Sequence, residues 1–157
     1  MRDNKTSEEI KLMIRKVKKD DLYQLLELYK FLHNDEKFDN TEHLKDVWKE
    51  IFNDKNHHII VYEEDGKIVS SYVCVIIPNL TRNARPYAFV ENVVTHIDYR
   101  KKGYATSCLN YAKEIAHNNN CYKMMLLTGS KRQSTLDFYK NAGYNSNDKT
   151  AFIQWLK

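Results

Sequence analysis

The stretch from Tyr87 to Thr128 constrains the fold more than any other part of this chain of 157 residues. Tyr87 to Thr95 (Tyr-Ala-Phe-Val-Glu-Asn-Val-Val-Thr) is dense in β-branched and aromatic residues and predicts a strand. Ala105, Cys108, Leu109, Ala112, Ile115 and Ala116 then recur at helical spacing on one face. Lys123 to Thr128 is a second strand. A strand, a returning helix and a strand in one sheet close as a right-handed parallel crossover.

The rest of the chain adds antiparallel pieces around that unit. His58–Tyr62 and Ile68–Ile77 are β-branched runs joined through Glu64-Asp65-Gly66, and an Asp-Gly pair in that setting predicts a hairpin. Upstream, Leu12–Val17 predicts a short strand. Asp20 or Asp21 can cap a helix with Leu22, Leu25, Leu26, Tyr29 and Leu32 on one stripe. Thr41 starts a second amphipathic helix through Leu44, Val47, Trp48, Ile51 and Phe52. Pro78 and Pro86 bracket a loop that carries Arg82 and Arg85. A last helix, about Ser134–Asn141, stops at Gly143, and Ala151–Leu156 predicts a closing strand. The result is an α/β layout with a mixed sheet and no internal repeat.

Composition bounds the function classes. At 42% hydrophobic and 29% charged, the usage is that of a globular chain, and the length suits one domain, 12–157, behind a polar lead-in, 1–11. No apolar run approaches the roughly 20 residues that span a bilayer, and Met1–Lys11 lacks a signal-peptide core; a cytoplasmic protein with no membrane partner is expected. Cys74, Cys108 and Cys121 form no C-x-x-C pair and sit in apolar surroundings, so reduced core residues, no disulfide and no metal are expected. A net charge of +4 suits a phosphate-bearing ligand, whereas the lysines are too dispersed for a nucleic-acid binder.

The chemistry concentrates where Tyr87–Thr95 runs into a cationic loop that opens directly into the next helix. The first N–H groups of a helix have no internal partner, and the dipole there carries about half a positive charge. A loop that gathers those amides around an anion makes a phosphate site; Gly103 allows close approach, and Arg100, Lys101 and Lys102 add charge.

Arg100-Lys101-Lys102-Gly103-Tyr104-Ala105 matches the Q/R-x-x-G-x-G/A pyrophosphate motif of the GNAT family of acetyl-CoA-dependent N-acetyltransferases, and Phe138-Tyr139-Lys140-Asn141-Ala142-Gly143-Tyr144 matches its F-Y-x-x-x-G-F/Y signature. With both motifs on the expected elements and the element order in agreement from about Leu12 onward, the chain resembles that family over nearly its whole length. The resemblance implies a GNAT fold, a mixed sheet of about six to seven strands flanked by about four helices. It also implies an N-acetyltransferase moving the acetyl group of acetyl-CoA, as co-substrate, to a primary amine of a small molecule by direct attack. A protein or peptide acetyltransferase and a non-catalytic acyl-CoA-binding module are the alternatives, and the family allows a homodimer.

The same resemblance implies residue roles. The coenzyme pyrophosphate would meet the backbone of Arg100, Lys101, Lys102, Gly103, Tyr104 and Ala105, with the Thr106 hydroxyl beside it. The pantetheine arm would pair with Val93, Val94 and Thr95, where the strand parts from its neighbour. Lys131 and Arg132 are candidates to reach the phosphates or are plain surface charge. Glu91 is the candidate base, since a carboxylate in an apolar strand is costly without a role or a partner; His96 is its rival. Tyr139 would protonate the leaving thiolate. Full transfer from a phenol near pKa 10 to a thiolate near 8.5 is uphill by about 2 kcal/mol, so a hydrogen bond to the sulfur would serve nearly as well. The oxyanion would meet a backbone N–H near Val94. Glu91-Asn92-Val93-Val94 and Cys121-Tyr122-Lys123 also look similar to the glucosamine-6-phosphate N-acetyltransferase branch. This chain departs from it at Asn92, where that branch has a second acid. It departs too in a longer Thr128–Thr135 connection, and at Thr135, a candidate cofactor contact in place of that branch's asparagine. Arg82 and Arg85 are candidates for an anionic group on the acceptor or for loop charge.

Overall fold

The computed structural model describes Thr6, residues 13–33 and residues 38–156. The lead-in expected over 1–11 lies outside the described residues apart from Thr6.

Five strands form one sheet in the order β1-β2-β3-β4-β5. They are β1 (Ile14–Lys16), β2 (His57–Glu64), β3 (Lys67–Ile77), β4 (Tyr87–Thr95) and β5 (Met124–Leu126). The first four pair antiparallel in succession and β4 pairs with β5 parallel, so the sheet is mixed, as the hairpin and the crossover required. Among the described residues four helices of eight residues or more flank it, α1 (Leu22–Tyr29), α2 (Glu42–Asn53), α3 (Tyr104–Asn118) and α4 (Gln133–Asn141), and a four-residue helical turn, Thr81–Ala84, lies between β3 and β4.

Because side chains alternate across a strand, the two faces bury separate cores. Ile59, Val61, Val73 and Val94 pack under Leu25 and Leu28 of α1. Ile60, Tyr72, Cys74, Ala88 and Val90 pack under Cys108, Leu109 and Ala112 of α3. Central strands with both faces covered read as continuous apolar runs, which is why 58–62 and 68–74 show no alternation.

Local chemistry sets the ends. Thr41 accepts a hydrogen bond from the Leu44 amide at 3.1 Å and starts α2 as expected. Asp21 does not cap α1; it closes a 3-10 turn, Lys19–Asp21, by accepting from the Lys18 amide at 2.6 Å, and Arg15 grips its carboxylate at 2.6 Å. The helix stops at Tyr29, short of Leu32.

Among the described residues the sheet has five strands, fewer than the six to seven expected. Ala151–Leu156 is not a strand: Phe152 is 93% exposed and Trp155 84%, and among the described residues no backbone group of this segment is paired. Strand propensity does nothing without an adjacent edge. The strand expected over Lys123–Thr128 shortens to Met124–Leu126, because β4 turns away beyond Val90.

Candidate active site

The site is built by one irregularity in β4. On β3, a single residue separates Ser71 from Val73; on β4, two separate their partners Glu91 and Val94. The additional residue is a β-bulge, and Asn92 occupies it with φ of 51°, in the left-handed region. Asparagine tolerates that conformation better than almost any residue except glycine. The bulge also reverses the side-chain order: Val94 packs toward α1, while Val93 packs toward α3 rather than on the same face as Glu91.

Pairing of β4 with β5 ends where the bulge begins. Ala88, Phe89 and Val90 partner Met124, Met125 and Leu126, and no later residue of β4 has a partner on β5. From Glu91 to Thr95, β4 is held on its β3 side only, and a gap opens toward the C-terminal ends of both strands. Thr95 closes the stretch: its hydroxyl lies 2.8 Å from Ser70 Oγ, which donates to the Val94 carbonyl at 2.9 Å.

At the end of the gap the chain makes a 3-10 turn, Ile97–Tyr99, and enters α3. Lys101 and Gly103 have φ of 63° and 88°, and these two left-handed residues curl the loop. Among the described residues no side chain caps α3, and the amides of Lys101 through Thr106 have no protein partner. Lys102 and Lys67 hold their ammonium groups over the Tyr99 ring at 4.6 and 5.4 Å. Arg100 is turned back, donating through Nε to the Thr95 carbonyl at 3.2 Å, so its guanidinium braces the loop. The outcome is a row of unsatisfied amides at a positive helix end, ringed by cations, with Cβ space free at Gly103.

Tyr139 comes from α4. That helix ends in a Schellman motif: Gly143, at φ 93°, donates to the Lys140 carbonyl at 2.9 Å, and Tyr144 donates to the Tyr139 carbonyl at 3.0 Å. The reversal sets the Tyr144 ring edge-on to Tyr139 at 6.2 Å, and Phe138 lies 5.0 Å away on the other side. Burial, and then the nearby Glu91 carboxylate, raise the Tyr139 pKa.

The other expected residues are distributed as follows. His96 accepts from the Asp98 amide through Nδ1 at 3.3 Å and sets its ring tilted against Phe31 at 4.6 Å, a capping position at the loop. Arg85 donates to the carbonyls of Asn120 and Cys121, each at 3.1 Å, and clamps the α3–β5 connection; Arg82 lies over the Tyr122 ring at 5.8 Å. Both belong to the end of β4 opposite the bare amides. Thr135 sits in the first turn of α4 with its hydroxyl 3.2 Å from Ser130 Oγ, and Lys131 and Arg132 before it are exposed. All three cysteines are free, Cys74 and Cys108 buried and Cys121 half-buried.

Two groups beside the bulge escaped the sequence reading. The Tyr29 phenol, at the end of α1, and Ser71 Oγ are buried beside Asn92, and Ser71 and Asn92 partly offset the effect of burial on the phenol. Burial pushes the Tyr29 phenol up to about 12. The signal available was Asn92 itself, a poor strand former at mid-strand.

The acetyltransferase (GNAT) family pattern matches residues 20–144, from the 3-10 turn before α1 to the tyrosine that follows the Schellman glycine. The chain belongs to the GNAT family. Relatives include a glucosamine 6-phosphate N-acetyltransferase of Trypanosoma brucei brucei, 29% identical over 91 residues, which are 58% of this chain and 60% of that protein. Streptothricin acetyltransferase A of Bacillus subtilis strain 168 is 32% identical over 92 residues, 56% of this chain and 53% of that protein. This GNAT chain therefore spans less than two thirds of the length of these curated relatives. Among solved structures, a candidate acetyltransferase from Agrobacterium tumefaciens str. C58 superposes with a TM-score of 0.85 at 38% identity, covering 90% of this chain and 99% of that one. Among the described residues no helix is long and apolar enough to cross a membrane, and no cluster of three or more His, Cys, Asp or Glu is placed to hold a metal ion.

Proposed function

We propose that this GNAT chain transfers the acetyl group of acetyl-CoA to a primary amine of a small-molecule acceptor. The observation that carries the reading is the loss of β5 pairing along Glu91–Thr95 just ahead of the bare amides of Lys101–Thr106.

The thioester's diphosphate would sit on those amides, with Lys102 and Lys67 offsetting its charge. Its extended arm would take the place of the missing β5 partner along Val93, Val94 and Thr95. The acetyl carbonyl would then lie beside the bulge. There the acceptor amine loses a proton to Glu91, directly or through water, and its lone pair forms the new C–N bond. A backbone N–H of the splayed stretch around Val94 would stabilise the oxyanion. As the C–S bond breaks, the Tyr139 hydroxyl donates to the sulfur. A raised pKa keeps that hydroxyl protonated at neutral pH and makes full transfer to the thiolate less favourable, which leaves a hydrogen bond to the sulfur as its contribution.

Support for a small acceptor comes from the two curated relatives, whose names specify an amino-sugar phosphate and streptothricin. The engaged position of Arg85 leaves it unavailable for an acceptor phosphate, which favours an amine without that requirement. The test is thiol release from acetyl-CoA against amino sugars, their phosphates, polyamines, aminoglycosides and basic peptides. Turnover with a small amine is expected. Turnover with peptides alone would assign a protein acetyltransferase, and acetyl-CoA binding without turnover on any acceptor would point to a binding module.

A further inference from the structure

We propose that Tyr104 and Glu64 form a positioning pair, which keeps the first turn of α3 shaped for the coenzyme's diphosphate in place of a capping side chain. A helix start is ordinarily held by a side chain that accepts from its first amides, and such a cap would fill the position an anion needs. Among the described residues no side chain takes that role at α3, and the Ser107 amide makes the first bond within the helix, to the Gly103 carbonyl at 3.0 Å. The first helical residue is held from its far end instead. The Tyr104 hydroxyl donates to Glu64 Oε1, at the end of β2, at 2.6 Å. Its ring stacks on Tyr62 with centroids 4.3 Å apart and planes 23° from parallel, and Tyr62 is buried in the core. A hydrogen bond to a carboxylate is about twice as strong as one between neutral groups. The helix start is thus tied to the sheet through a side chain, and its amides stay bare.

The anchor is itself well fixed. Glu64 pairs with Lys67 across the tight turn Asp65-Gly66, whose φ values of 51° and 76° are both left-handed. One hairpin therefore supplies the brace for Tyr104 and the Lys67 ammonium that lies over Tyr99, whose ring is 6.5 Å from that of Tyr104. By charge alone, a carboxylate beside an anion site opposes binding. The bond that Glu64 accepts gives it a reason to be there. The pair acts through the backbone of Tyr104, Ala105 and Thr106, so both members are positioning residues. The inference rests on the reading of Lys101–Thr106 as the diphosphate cradle.

The test compares, by calorimetry on the whole chain, the binding of coenzyme A and of pantetheine, which lacks the diphosphate. Glu64→Ala and Tyr104→Phe should each weaken coenzyme A binding about tenfold, the loss of one hydrogen bond to a charged group, and change pantetheine binding by less than about twofold. Glu64→Gln keeps an acceptor oxygen without the charge and should bind coenzyme A nearly as the native chain does. Because either substitution breaks the same bond, the double variant should lose no more than each single one. Should Glu64→Ala not fold, Tyr104→Phe, which keeps the ring on Tyr62, carries the comparison with pantetheine. Coenzyme A binding that both single variants leave intact or tighten would overturn the proposal, as would equal losses for the two ligands, additive losses in the double variant, or a Glu64→Gln chain as weak as Glu64→Ala. A native chain that holds the two ligands equally removes the cradle and this inference with it. A native preference for coenzyme A that both single variants keep removes this inference alone.

Discussion

Burial, and after it the carboxylate of Glu91 on β4, hold the Tyr139 phenol of α4 above its ordinary pKa, and Glu91 is the first residue of β4 beyond its pairing with β5. One is attached to a bulged strand and the other to a capped helix end, elements fixed independently by the fold. Replacing Tyr139 by Phe keeps the ring among Phe138 and Tyr144 and removes only the hydroxyl. Turnover should fall about 100- to 10,000-fold, the range of a general acid, while the dissociation constant for acetyl-CoA changes little. Calorimetry beside a thiol-release assay separates the two, and unchanged turnover would remove the hydroxyl from the chemistry.

Gly143 controls the same ring from a distance. Its left-handed φ of 93° lets Tyr144 bond back to the Tyr139 carbonyl, and open space surrounds the position a Cβ would take. Gly143→Ala therefore costs backbone strain and no steric clash, about 1–2 kcal/mol in urea unfolding. Gly143→Asn, which tolerates this conformation, should cost less. Equal losses for the two variants would mean that φ is not the reason for glycine here.

Much of this architecture is legible from residue order. The hairpin follows from Asp65-Gly66 between β-branched runs, β4 runs from Tyr87 to Thr95 as read, and Thr41 caps α2. The bare amides ahead of α3 follow from a cationic loop placed between strand and helix. What escaped depended on tertiary partners. The bulge at Asn92 is a mismatch in count between two strands, and neither strand shows it alone. His96 and Arg85 carry reactive or charged groups, but their hydrogen bonds to Asp98, Asn120 and Cys121 exist only in the folded chain. Phe152, Ile153 and Trp155 have strand propensity, yet among the described residues their segment pairs with no strand.

The anion cradle predicts a ligand effect on stability. On the proposed function the native chain would bind acetyl-CoA through amides gathered by the fold, an array that the unfolded chain lacks. At a hundredfold excess over its dissociation constant, acetyl-CoA should stabilise the protein by about 2.7 kcal/mol. Because Lys67, Lys101 and Lys102 contribute charge, the effect should shrink as salt rises. Thermal melts with acetyl-CoA, and with acetylpantetheine as the phosphate-free control, check this. Equal shifts from the two would move binding away from the start of α3.

His58 gives the chain an acid-sensitive core. It is 6% exposed in β2, neither ring nitrogen has a partner, and its pKa is lowered by burial and then by Lys16 and His57, against a smaller opposing effect of Asp54. The folded state thus holds the imidazole neutral, whereas an unfolded imidazole takes up a proton near pH 6.5. As pH falls below about 6.5 the unfolded state binds more protons than the folded one, so stability declines, by at most about 1.4 kcal/mol per pH unit for this one site. The loss levels off once pH drops beneath the lowered folded-state value. His57, half-buried and lowered by the same cause, adds to the decline with the same sign. His58→Leu removes both the titration and two buried orphan nitrogens at similar volume. Urea unfolding from pH 7.5 to 5 should give a shallower decline for that variant and no lower stability at pH 7.5. A decline as steep as that of the parent chain would assign the acid sensitivity to other groups.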